Sequence, residues 1–210
     1  MDAAIEAVLA EYDQRAAKEH NLRDQTGMGK WLDRRDEFLI AVGPATGRLL
    51  NILAKSVKAK TILELGTSYG YSTVWLAEAA RATGGKLITL DKADYKHDYA
   101  RNMLAKAGLT AHVEFRLGDA RETIKSLPGP FDFVLVDLWK DLYIEVFDLF
   151  YPKLSPGAFI AADNMLLPED YRVHAIPYRK HVRSKPKIDS VLLPVGSGVE
   201  LSRYNDPFAP

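Results

Sequence analysis

Residues 61–72 read TILELGTSYGYS, and their order decides how the rest of the chain is read. Thr61 to Leu65 is apolar but for Thr61 and Glu64 and contains neither Gly nor Pro, which is the composition of a buried strand. Gly66 and Gly70 then allow a tight turn and let a ligand approach bare backbone. From Ser72 a helical pattern continues to Arg81. A strand, a two-glycine loop and a helix open a β-α-β unit, whose binding edge is the carboxyl end of the strand.

Downstream the pattern repeats. KLITL (86–90), HVEFRL (112–117), FDFVLV (131–136) and AFIAA (158–162) read as strands, and residues 72–81, 95–106, 120–126 and 142–154 carry helix-type spacing. This alternation predicts a parallel sheet with helices on both faces and right-handed crossovers. SVLLPV and VELSRY flank Gly196-Ser197-Gly198 and read as a β-hairpin, giving five parallel strands and then an antiparallel pair. Upstream, Ile5, Val8, Leu9 and Tyr12 predict a helix over 2–19. A loop follows over 21–30, then further helix at 38–40 and 46–57. Without repeats or a dividing linker, residues 1–210 form one α/β domain, with N-terminal helices or a lid over 1–57 and the core over 58–210.

Composition narrows the function. Lys plus Arg equals Asp plus Glu at 28 each, so no basic field favours nucleic acid or an anionic membrane. With no Cys there is no thiolate metal site and no Cys nucleophile. The start, MDAAIEAVLAEYDQR, lacks a basic segment followed by an apolar core, and no apolar run approaches the ~20 residues of a membrane span. The expectation is a cytoplasmic protein acting on a small molecule.

The loops at the strand ends are ELGTSYGYS, LDKAD, LGDA, DLWK and ADN. The dinucleotide fingerprint G-x-G-x-x-G is broken by Ser68 and Tyr71, which counts against a nicotinamide dehydrogenase. Glu64 would repel a phosphate and suits an ammonium-bearing ligand. Asp91 ends the second strand, where a carboxylate can take both hydroxyls of a ribose, although such an Asp serves as readily in a turn. Asp119, before Ala120, either caps the next helix or lies against an adenine.

Together these loops resemble the S-adenosylmethionine site of class I methyltransferases, over roughly residues 60–165. LELGTSYGYS is similar to the small-molecule O-methyltransferases of the catechol and caffeoyl-CoA type, which keep the second Gly followed by Tyr-Ser, here Gly70-Tyr71-Ser72. The resemblance implies a Rossmann-like sandwich with a seven-stranded, mostly parallel sheet. It also implies that Glu64 and the stretch Gly66, Ser68, Gly70, Tyr71 and Ser72 hold the methionine end, with Asp91 on the ribose and Asp119 and Ala120 beside the adenine. Val42, in Val42-Gly43, resembles the segment that closes over the donor, and Asp137 borders it too.

A second group lies at the ends of the fourth and fifth strands. If those strands are neighbours, ~4.8 Å apart, Asp137 and Asp163-Asn164 converge. Two carboxylates and an amide oxygen suit Mg²⁺, or another hard cation such as Mn²⁺ or Ca²⁺, rather than zinc. An Asp-Asn pair alone is ordinarily a turn. DLWKDLY followed by ADN resembles the catechol O-methyltransferase pattern, in which Asp, Asp and Asn bind Mg²⁺. Wider relatives usually carry Asp-Ala-Asp-Lys where Asp137-Leu138-Trp139-Lys140 stands here.

The likeness implies Lys140 as general base, Trp139 as a wall against an aromatic ring, Pro168 facing it, and Phe38 and Ile40 in the apolar pocket. It places Glu200 near a carboxylate that holds the second catechol hydroxyl. A phenol is mostly protonated at neutral pH, as the Tyr pKa of ~10 shows, so such a reaction needs a cation and a base. Without that chemistry, Lys140 is a solvated loop lysine and Trp139 a core plate.

The expected function is Mg²⁺-dependent O-methylation of a catechol-type phenolic by S-adenosylmethionine. The alternatives are a metal-independent methyltransferase of the same fold and a non-catalytic S-adenosylmethionine-binding protein. His174, Tyr178 and His181, in the polar stretch 169–188 near the mouth, either shape acceptor specificity or, as the preferred reading, are surface residues. Met28 and Trp31 either line the pocket or pack in a helical interface. The family likeness and the apolar N-terminal helix suggest a homodimer.

Overall fold

The computed structural model describes residues 1–26 and 35–205, so the expectations for Met28 and Trp31 fall outside the described residues. Helix α1 spans Ala3–Thr26 and α2 spans Pro44–Ser56. The alternating part then runs β1 Thr61–Leu65, α3 Tyr71–Thr83, β2 Lys86–Asp91, α4 Asp94–Lys106, β3 Val113–Leu117, α5 Ala120–Ser126, β4 Phe131–Val136, α6 Tyr143–Phe150 and β5 Leu154–Ala162. Helix α7 (Arg172–Arg183) precedes β6 (Ile188–Leu193) and β7 (Val199–Tyr204).

Among the described residues the strands form one seven-stranded sheet in the order β3-β2-β1-β4-β5-β7-β6. The first five strands are parallel; β7 runs antiparallel to both β5 and β6. Chain order reverses between β1 and β4, and that switch is where a crevice opens beyond the strand ends. This is the Rossmann-like arrangement implied by the sequence.

Strand alternation builds two core layers. Ile62, Phe133, Leu135, Ala161 and Val199 face α1, α2 and α3. Leu63, Leu65, Val134, Val136, Ile160 and Ala162 face α5, α6 and α7. The strands are apolar on both faces because helices cover both.

Five local expectations change, two of them simple shifts: the helix expected over 142–154 ends as α6 at Phe150, and β6 spans Ile188–Leu193 instead of residues 190–195. Helix α1 continues through Thr26, past the loop expected from residue 21. Phe38 to Ile40 is not helical: a 3-10 turn ends at Glu37, and Ile40 takes a left-handed φ of 41° that a helix excludes. Strand β5 begins at Leu154 rather than Ala158, taking in Ser155-Pro156-Gly157, with a register shift against β4 between Phe131 and Phe133. No helix among the described residues is long and apolar enough to cross a membrane.

Candidate active site

The loops after β1, β2, β4 and β5 meet at the switch point, and glycine geometry fixes how closely. Gly66 has φ 107°, and a Cβ there would stand 2.2 Å from the Asp137 carbonyl oxygen, so no side chain fits. The Gly66 and Thr67 amides both donate to the Leu90 carbonyl at 3.0 Å. Beyond them Ser68 has φ 46°, and its amide donates to Asp91 Oδ2 at 2.8 Å. Ala93 donates to the other Asp91 oxygen at 3.0 Å. Ser68 and Asp91 are therefore brought together, and each carboxylate oxygen keeps a lone pair for a further donor. Gly70 packs so near Ala100 that a Cβ would meet it at 2.7 Å, and from there α3 begins.

Two residues of this loop behave differently from the expectation. Glu64 is fully buried beneath the loop, and its carboxylate accepts from Ser72 Oγ (2.6 Å), Thr73 Oγ1 (2.7 Å) and Thr89 Oγ1 (2.6 Å). Alternation along β1 turns it toward α3 rather than outward, so it supports the loop instead of gripping a ligand's ammonium. Burial pushes its carboxyl up to about 7, against the pull of the three hydroxyls. Tyr71 turns its ring into α1, where its hydroxyl donates to Asp13 Oδ1 at 3.1 Å, leaving only its backbone for a ligand.

Asp119 caps α5, accepting from the Arg121 amide at 2.9 Å, and pairs with the Arg121 guanidinium and with Lys92. Those donors hold its carboxyl well below the usual range. Ala120 is the first residue of α5, half-buried beside it. Val42 is buried in the core against Gly196, just before Gly43 turns with φ 83° into α2. Phe38 is buried, whereas Ile40 is exposed, and Pro168 is exposed at the start of a short 3-10 turn. Trp139 is 42% exposed, so it is no core plate.

The Glu200 expectation fails. Its register partner is Ala162, and the side chain turns onto the α7 face, wholly buried. There it accepts from Arg179 Nε (3.2 Å), Arg183 Nε (2.7 Å) and Nη2 (3.1 Å), and Ser190 Oγ (2.6 Å). These contacts clamp α7 to the hairpin and leave nothing for a substrate hydroxyl. Of the three residues read as surface, His174 is exposed and His181 is half-buried on Asp148 at 2.8 Å. Tyr178 is the exception, packed in the core against Tyr143 and Phe147.

Asp137 and Asp163 stand at the ends of the paired strands β4 and β5, where Val136 faces Ala162. Asp163 is buried, and its Oδ1 has no hydrogen-bonding partner. Burial, with Asp137 next in weight, pushes its carboxyl up to about 7. Burial also raises Asp137, opposed by Lys140. Asn164 has φ 60° and donates its amide nitrogen to the Leu167 carbonyl, leaving the side-chain oxygen as an acceptor. Among the described residues no three His, Cys, Asp or Glu side chains cluster, so a cation here needs a neutral oxygen as its third protein ligand, which Asn164 offers. A buried carboxylate with an orphaned oxygen, beside a half-buried one that repels it, fits a hard divalent cation.

Lys140 is buried, not solvated. Its Nζ donates to Asp137 Oδ1 (3.0 Å), the Leu138 carbonyl (3.0 Å) and Tyr143 Oη (2.6 Å). Tyr143 in turn donates to the Asp163 carbonyl at 3.3 Å. Tyr143 was not among the expected site residues, although its place three residues after Lys140 on a helical turn is the spacing that brings side chains together.

A match to the O-methyltransferase family model covers residues 19–205. The chain belongs to the O-methyltransferase family. A catechol O-methyltransferase of Niastella koreensis is 42% identical over 132 residues, covering 60% of this chain and 59% of that protein. Caffeoyl-CoA O-methyltransferase 5 of Nicotiana tabacum is 28% identical over 225 residues, covering 96% of this chain and 91% of that protein. An O-methyltransferase from Bacillus cereus, solved in complex with SAH, superposes with a TM-score of 0.75 at 27% identity, over 98% of this chain and 92% of that one. Among the described residues, three of the four non-glycine residues with positive φ, namely Ile40, Ser68 and Asn164, belong to the expected site. Strain held at such positions is typical of ligand clamps.

Proposed function

We propose that the chain is an S-adenosylmethionine-dependent O-methyltransferase that methylates one hydroxyl of a catechol or related vicinal-diol phenolic, with Mg²⁺ at Asp137, Asp163 and Asn164. The observation that carries this reading is the partnerless Asp163 oxygen beside Asp137, on the edge where Lys140 and Trp139 stand. The donor side is supported by the close-fitting Gly66 loop and Asp91, and by the SAH complex of the Bacillus cereus relative. The names of the catechol and caffeoyl-CoA relatives support an aromatic acceptor.

The residues divide the work. Asp91 and the backbone from Gly66 to Gly70 seat the donor, with Glu64 fixing Ser72 and Thr73 from below. Trp139 offers an apolar wall at the mouth, where the acceptor ring lies with Phe38, Ile40 and Pro168. A divalent cation at the carboxylate pair supplies charge that makes a phenol hydroxyl more acidic and fixes its orientation. Lys140 Nζ, which donates to three partners as an ammonium, first gives one of those protons up to water; the amine so formed then takes the acceptor's proton, with Tyr143 and the Leu138 carbonyl holding it in place. Donor and acceptor held in line provide much of the acceleration.

Calorimetric titration with Mg²⁺ tests the cation site directly. The wild type should bind one ion and Asp163→Ala should lose it, whereas equal affinity in both would reject the site. A homodimer and a cytoplasmic location remain part of this proposal.

A further inference from the structure

His97, on α4, is wholly buried and takes no part in the chemistry above. Its Nε2 lies 3.1 Å from Thr67 Oγ1, inside the loop that follows β1. Thr67 Oγ1 lies 2.5 Å from Thr89 Oγ1 on β2, and Thr89 Oγ1 lies 2.6 Å from Glu64 Oε2 on β1. The remaining ring nitrogen, Nδ1, is buried without a hydrogen-bonding partner. Thr67 and Thr89 are almost completely shielded from water, so the four side chains find their partners in one another rather than in solvent.

Counting protons gives the chain a direction. Each hydroxyl has one proton to donate, and an ionised carboxylate has none. Glu64 already accepts from Ser72 and Thr73, an arrangement that favours its anion. Thr89 must therefore donate to Glu64 and can only accept from Thr67. Thr67 has then used its proton and can only accept from His97, which must carry its hydrogen on Nε2. The bare Nδ1 is what this direction leaves over. The reverse direction needs a protonated Glu64 and an N–H on Nδ1 buried with no acceptor, a group that costs about 1–3 kcal/mol to leave unpaired.

We propose that His97 is a positioning residue for the donor-binding loop: as the neutral Nε2–H tautomer it anchors Thr67 through a one-way chain of hydrogen bonds ending on Glu64. Because Glu64 also holds Ser72, both ends of the loop hang on one carboxylate, and residues 66–72 are kept in the shape that receives the donor. The groups facing His97 agree with a neutral ring. Phe115 packs edge-on at 5.0 Å, and the acids Asp91, Asp94 and Asp98 are offset by Arg101 and by burial, which comes first and pulls the imidazole below its usual range. The proposal rests on the donor half of the function above and needs neither the metal nor the acceptor.

Nitrogen-15 NMR of the ligand-free wild type at about pH 8, where Glu64 is ionised, reads the tautomer without any substitution. A protonated Nε2 with a bare Nδ1 is expected; an Nδ1–H tautomer or an imidazolium overturns the proposal. S-adenosylmethionine binding, measured by calorimetry with no acceptor or metal, reads the positioning role. His97→Phe keeps a ring against Phe115 but removes the donor, and should raise Kd about tenfold, the scale of one lost hydrogen bond. His97→Gln, whose amide can donate to Thr67, should return Kd to within about threefold of wild type. Wild-type affinity in His97→Phe overturns the role. If the wild type itself fails to bind the donor, the proposed function falls, and this role with it.

Discussion

Lys140 holds three acceptors with one ammonium, and one of them is the carboxylate of Asp137. Lys140→Ala should lower kcat by about 10²–10⁴, the range for loss of a general base, while leaving the donor's Kd unchanged. Wild-type turnover in that variant would remove Lys140 from the chemistry. Asp91→Ala should weaken donor binding about tenfold or more in the same calorimetric assay, because its carboxylate also accepts the Ser68 amide that shapes the loop. An unaltered Kd would put the ribose elsewhere.

At this scale the sequence showed Asp137, Asp163, Asn164, Lys140 and Asp91 at one edge, because residue type and strand end are both visible in it. Which face a side chain takes is not visible. From sequence Glu64 and Glu200 therefore look like ligand contacts, whereas the structure turns each toward a helix that fills its oxygens. The roles of His97 and Tyr143 are not visible in the sequence, because their partners lie on other elements or at the next helical turn.

At the scale of elements, the fork of Arg179 and Arg183 on Glu200 ties α7 to the hairpin. Glu200→Gln leaves the two arginines to water, since both are partly exposed, and should cost about 1–3 kcal/mol of stability. Chemical denaturation measures this. The KM for the acceptor should not change, whereas a large rise in KM with stability intact would restore Glu200 as a substrate contact. Strands β1 to β4 and β7 are legible in the sequence to within a residue, since buried strands leave short apolar runs, whereas β5 starts four residues and β6 two residues before its apolar run. Segments whose shape depends on contacts distant in sequence were not. The stretch from Asp36 to Leu39 is held by Tyr69, Arg15 and Glu19 from two other parts of the chain, and no local periodicity reports that.

Across the whole molecule, two core layers hold a sheet whose edge concentrates buried acid, and this sets the pH dependence. Glu64 and Asp163 are both raised to about 7 in the fold. The folded state therefore keeps protons that the unfolded chain releases near pH ~4, and stability falls as pH rises from about 4 to 7, then levels off. The lowered carboxylates, such as Asp119 and Asp148, act the other way but only at lower pH. Without divalent cations, Tm should thus decline between about pH 5 and 7, and Mg²⁺ should restore it increasingly over that range as Asp163 ionises. A Tm that climbs over that range without Mg²⁺ would contradict the sign. The most direct test of the central claim is methyl transfer from labelled S-adenosylmethionine to a panel of catechols and monophenols, with Mg²⁺ and again with excess chelator. Catechols methylated with Mg²⁺ and left unmethylated under chelation is the predicted result; methylation that survives chelation would contradict a cation at Asp137, Asp163 and Asn164.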